Sequence, residues 1–148
     1  MKERYSFIEH WDNLQHGAHE GIVFFALEQS IKNNCELRVC INNKSSCEQI
    51  ITKAFGEENS KKIRIKKSIS LNKVQVSLNS IATLKKEYNP PKAIFLLFFP
   101  SFDLITLVES FDNAAAIIVF SEADNHTEPT DKWLSLHDVH ALKAKTGQ

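Results

Sequence analysis

The chain has 148 residues, 43% of them hydrophobic, and its 18 basic and 18 acidic side chains cancel to a formal net charge of zero. That length suits a single domain, residues 1–148, large enough to bury a core. The charge balance excludes a general electrostatic pull toward nucleic acid or an anionic membrane, and it leaves little repulsion against self-association.

No apolar run reaches the roughly eighteen residues that would span a bilayer, and the opening MKERYSFIEHWDN has no apolar leader core. Cys35, Cys40 and Cys47 are odd in number, clustered and without zinc-finger spacing. Together these features predict a cytoplasmic protein. Four glycines are few for a nucleotide site, where the backbone must approach phosphate closely.

In chain order, residues 5–8 suit a short edge strand. Residues 19–33 read as a helix, with Ile22, Val23, Ala26, Leu27 and Ile31 on one side. Phe24 and Phe25 widen its apolar face, and Asn33-Asn34 suits its stop. Residues 36–41 are the first clear strand. The turn 42–44 leads to a helix over 45–55, with Ser45 and Glu48 as a capping box and Gly56 as the C-cap. Residues 62–66, KIRIK, alternate and predict a strand whose lysines guard a sheet edge. Leu71, Val74, Leu78, Ile81 and Tyr88 fall at helical steps, so a long helix is predicted over 71–88, ended by Asn89-Pro90-Pro91.

Two runs, 93–99 and 114–120, are almost wholly apolar. A strand that is apolar at every position must be covered on both faces. Ser101 caps a helical pattern between them, so the segment predicts a parallel βαβ unit. A polar loop over 121–130 and a helix over 131–143 complete the chain. The fold expected is α/β: a three-layer α/β/α sandwich on a mainly parallel open sheet of four or five strands, with 36–41 beside 93–99 at the centre. In its pattern of elements it resembles the flavodoxin-like and half-Rossmann-like group, a resemblance of architecture that carries no function.

Ligands of such sheets bind beyond the carboxyl ends of the strands. Asn42, Asn43, Ser45, Ser46 and Ser101 lie there and are the candidates for holding a small anion, through the N–H groups after Asn43 and after Pro100. Asp103, Glu122 and Asp124 carry carboxylates of the kind that bind Mg²⁺, and His126 is an acid–base group. These four are the candidates for catalysis. The strands at 36–41 and 62–66 end without a carboxylate, so no metal and no cofactor is assigned. His16 and His19, with Glu20, and His137 and His140 are spaced to share helix faces but lack the zinc-protease motif. Cys47 falls in a first helical turn, where the dipole favours thiolate, without a His partner in the local sequence.

No Gly-x-Gly-x-x-Gly, P-loop or Gly-x-Ser-x-Gly motif is present. The reading that follows is a non-enzymatic binding or protein-interaction domain, a homodimer joined through the apolar face of the 19–33 helix. The alternative is a small enzyme or ligand binder that takes a phosphate- or carboxylate-bearing molecule at the strand ends. Nucleic-acid binding through the basic segment 61–67 is disfavoured, since no aromatic residue is interleaved for base stacking.

Overall fold

Two strands without a polar face organise the chain. The computed structural model describes residues 2–9, 17–87, 90–122 and 128–142. Its elements are β1 (Glu3–Glu9), α1 (Ala18–Asn33), β2 (Glu36–Ile41), a 3₁₀ turn (Lys44–Ser46), α2 (Glu48–Phe55) and α3 (Glu57–Lys66). There follow β3 (Ser68–Leu71), β4 (Val74–Ser80), α4 (Ile81–Leu84), β5 (Ala93–Phe98), α5 (Phe102–Glu109), β6 (Ala114–Glu122), α6 (Glu128–Leu136) and β7 (His140–Leu142). The strands form one sheet in the order β3-β4-β2-β5-β6-β1-β7. Among the described residues, only the β3–β4 pair is antiparallel.

Every residue of β5 is buried, as the lack of alternation requires. On one face Ile94, Leu96, Ile118 and Phe120 meet Ile22, Val23 and Leu27 of α1, Ile51 of α2 and Ile63 of α3. On the other, Phe95, Leu97, Ile117 and Val119 meet Leu84 of α4, Leu104 and Val108 of α5 and Trp133 of α6. Each such side chain contributes about 1.5–3 kcal/mol by leaving water. The layers are therefore α/β/α. Connections on the first face carry the chain toward the β3 edge; those on the second carry it toward the β7 edge. All the crossovers thus share one hand. As expected, β2 lies beside β5.

Several expectations are corrected. The sheet has seven strands among the described residues, not four or five. Residues 5–8 are not an edge: β1 lies between β6 and β7, with Phe7 stacked on Phe120 at 5.4 Å. KIRIK is not a strand but the end of α3. Ile63 is fully buried while Ile65 is 79% exposed, so the two do not share a face. Its cations pair with helical neighbours instead: Lys62 with Glu58 at 3.3 Å and Arg64 with Glu48 of α2 at 3.5 Å. Five alternating residues are too few to separate a period of two from one of 3.6.

The long helix at 71–88 is replaced by the β3–β4 hairpin and the single turn α4. Asn72 and Lys73 both take positive φ, 49° and 69°, the conformation of a tight two-residue hairpin turn. Val74, Val76 and Leu78 then alternate inward; the three- and four-residue steps that suggested a helix arise because Leu71 and Val74 face each other across the turn. The capping box belongs to Ser80 and Thr83, not to Ser45 and Glu48. Gly56 closes α2 as expected, its N–H donating to the Thr52 carbonyl at 2.8 Å. The strand predicted over 93–99 stops at Phe98, because Phe99 has φ 48°. Ser121 and Glu122 extend β6 into the expected loop, α6 starts and stops earlier than predicted, and β7 takes the place of its end.

A carboxylate ties three elements at the amino end of the sheet. Glu109, at the end of α5, accepts two hydrogen bonds from Arg4 of β1, both 2.7 Å, and one from Trp133 Nε1 of α6, 2.7 Å. His137 Nε2 stands 3.7 Å away. Burial alone would raise the Glu109 carboxyl, but the bonds from Arg4 and Trp133 and the charges of Arg4 and His137 outweigh it and hold the group below its ordinary value. Its stabilisation is therefore fully present above the unfolded value, about pH 4.3, and is lost as pH falls through the lower folded value. Glu109→Gln should cost about 1–3 kcal/mol at pH 7, read from urea denaturation, and the gap from the unaltered chain should narrow as pH falls below the unfolded value.

Candidate functional site

At the carboxyl ends of β2 and β5 the chain leaves on opposite faces of the sheet, which opens the crevice where such folds place ligands. Asn42 lies across it. Its Nδ2 donates to the Phe99 carbonyl at 2.9 Å, and its Oδ1 accepts from the Ser101 N–H at 2.8 Å. One amide side chain thus occupies a donor and an acceptor on the opposite loop. The left-handed Phe99 lies at this junction.

The other candidates nearby are also engaged. Asn43 Oδ1 accepts from both the N–H and the hydroxyl of Ser45, each at 2.9 Å, and so caps the 3₁₀ turn. Ser101 Oγ accepts from the Leu104 N–H at 3.2 Å, the N-cap bond the sequence predicts for α5. Asp103 is exposed in the first turn of α5. Glu122 is the last residue of β6, in register with Glu9 of β1. Ser46 falls in the 3₁₀ turn. Asp124 and His126 lie outside the described residues, as do His16 and Trp11.

Asn42, Asn43, Ser45 and Ser101 are therefore brought together, and Asp103 lies in the first turn of the adjoining helix. Among the described residues, no group of three or more His, Cys, Asp or Glu is placed to hold a metal ion. The described histidines do not converge: His19 packs at the carboxyl ends of β5 and β6, while His137 lies beside Glu109 at the other end of α5. Cys47 is buried, with Sγ donating to the Lys44 carbonyl at 3.2 Å. Burial pushes its thiol above the ordinary value, so the helix dipole does not make it a thiolate.

Two features were missed. His19 is buried in an aromatic cluster, its ring 4.7 Å from Phe120 and 6.1 Å from Phe98. The helical pattern marks it only as the start of α1. The second is electrostatic. Burial, then the charges of Lys67 and Lys86, hold the Lys44 ammonium below its ordinary value. Two lysines far apart from it in the sequence thus act on the Lys44 side chain.

No protein-family model, no curated protein and no solved structure matches the chain. Among the described residues, no helix is long and apolar enough to cross a membrane.

The Asn42 bridge yields a direct expectation. Asn42→Ala leaves the Phe99 carbonyl and the Ser101 N–H to water, and should cost about 1 kcal/mol in urea denaturation. The Ser101 amide should exchange with solvent faster than in the unaltered chain, with most other amides unchanged.

Proposed function

We propose that this chain is a non-enzymatic protein-interaction domain that works as a homodimer in the cytoplasm. The outer face of α1 carries the reading: Phe24 is 60% exposed and Ile31 59%. Seven residues apart, they lie about two turns from each other on the same side of the helix. Phe25, by contrast, is partly covered and packs edge-to-face on Tyr5 at 5.0 Å. Single exposed apolar side chains are ordinary, but two on one helix face make a patch of the kind that marks an interface. The polar groups at the strand ends, meanwhile, are largely spent on one another. Three free thiols suit a reducing compartment.

Light scattering at micromolar concentration tests this. The expected mass is twice that of one chain, falling to one chain in Phe24→Asp with the far-UV circular dichroism unchanged. A monomeric unaltered chain sinks the reading.

One observation favours a second reading, a small enzyme or binder of a phosphate- or carboxylate-bearing molecule. An anion beside Lys44 would offset the opposition of Lys67 and Lys86 to its charge. Titrated inorganic phosphate should then shift the amide resonances of Lys44, Ser45 and Ser101. If neither loop responds, this second reading fails.

A further inference from the structure

β3 is the last strand on its side of the sheet, bonded to β4 alone among the described residues. The two-residue turn makes Leu71 and Val74 a hydrogen-bonded pair. Antiparallel pairs alternate, so Ile69 with Val76 and Lys67 with Leu78 are bonded too. The Leu78 N–H donates to the Lys67 carbonyl at 2.9 Å, as that alternation requires. Ser68 and Ser70 therefore turn their N–H and C=O groups away from β4, toward the open edge. Neither residue is buried. Within Ser68–Leu71 there is no charge and no proline to discourage another strand.

Cations stand around this edge. On α3, Ser60 and Ile63 are buried and Arg64 reaches Glu48 of α2. At about 100° per residue, Lys62 and Lys66 each lie about 160° around the helix from Arg64, on the flank away from α2. Because α3 packs on β3 and β4, that flank overhangs the free edge. Lys62 is shared with Glu58 at 3.3 Å. Lys67 precedes β3, and Lys73 follows it in the turn; all four lysines are exposed.

We infer that β3 is a docking edge for an extended acidic segment of a partner protein, which adds a strand to the sheet through the main chain of Ser68 and Ser70 and sets its carboxylates beside Lys66, Lys67 and Lys73. This rests on the interaction-domain part of the reading above and not on its dimer. A second copy of β3 does not fit. Paired antiparallel about Ile69, it would set Lys67 opposite Leu71 and Lys66 opposite Asn72 of the other copy. Lys66 and Lys67 would then crowd Lys73 of that copy at both ends of the contact. The lysines thus exclude self-pairing and admit a strand of opposite charge.

The blocked peptide Asp-Glu-Thr-Val-Thr-Val-Glu-Asp tests this on the full chain, by NMR titration at low salt. It should shift the amide resonances of Ser68 and Ser70 with a Kd of about 0.1–1 mM, and lysine in place of its acids should weaken binding at least about tenfold. Ser70→Pro removes one outward N–H and no bond to β4, at a place where an edge strand admits proline. It should abolish binding with the far-UV circular dichroism unchanged. The fully N-methylated peptide keeps every charge and loses every backbone donor, so it should not bind the unaltered chain; this arm stands even where the proline variant fails to fold. An unmethylated peptide that moves neither serine amide up to about 5 mM overturns the proposal. Equal binding of the methylated peptide also overturns it, as attraction of charge alone. Neither result bears on the α1 dimer, which light scattering reads separately.

Discussion

β5 and β6 have no side of their own that can face water. Residues 94, 96 and 98 of β5 meet one helical layer and residues 93, 95 and 97 the other, all of them buried. A single helical layer would leave half of these side chains exposed, so the chain must cross both faces. Given crossovers of one hand, coverage of both faces forces the chain to reverse its direction across the sheet. That reversal separates the loops after β2 and β5. Asn42 fills the gap it creates with a side-chain amide that behaves like one more peptide group. The same requirement that builds the core thus also builds the crevice and decides what occupies it.

Away from this centre the demand relaxes. The hairpin β3–β4 is apolar on its first face through Ile69, Leu71, Val74 and Val76, but its second face carries Ser68, Ser70, Gln75 and Ser77. That polar face needs no helix, and α4 is only one turn long. At the boundary Arg38 of β2 is nearly buried on the second face, where Glu36 and Glu87 pair with it. The helices of the second layer accordingly gather over β5 and β6, where apolar side chains call for them.

The sequence was legible where one physical requirement dominated. The unbroken apolar runs gave β5 and β6, a wide apolar face with an Asn stop gave α1, and the Ser101 cap gave the start of α5. It misled where two periods fitted the same residues. KIRIK alternates, yet only Ile63 is buried; Leu71, Val74 and Leu78 keep helical steps, yet the turn at Asn72-Lys73 folds them into a hairpin. Of the candidate site, the cap at Ser101 could be read because its partner lies three residues away, whereas the cap at Asn43 was missed in favour of Ser45. The reach of Asn42 to Phe99 and Ser101, the aromatic cluster around His19 and the bond of Trp133 to Glu109 join distant parts of the chain. No local pattern encodes them.

The place of β1 has a consequence for how the chain is made. β1 pairs with β6 and β7 alone, in a register that sets Glu3 beside Ala116 and Tyr5 beside His140. During synthesis it leaves the ribosome before either partner exists. Pairings of such long sequence separation close slowly, because the loop entropy is lost before any contact repays it. The nascent chain must therefore carry a strand bearing Tyr5 and Phe7 with both edges open while β2 to β5 assemble without it. An intermediate of that kind is prone to aggregate and is a natural client for a chaperone. In the finished sheet the same strand is shielded on both sides, so the hazard is confined to the roughly ten to thirty seconds before β6 and β7 emerge.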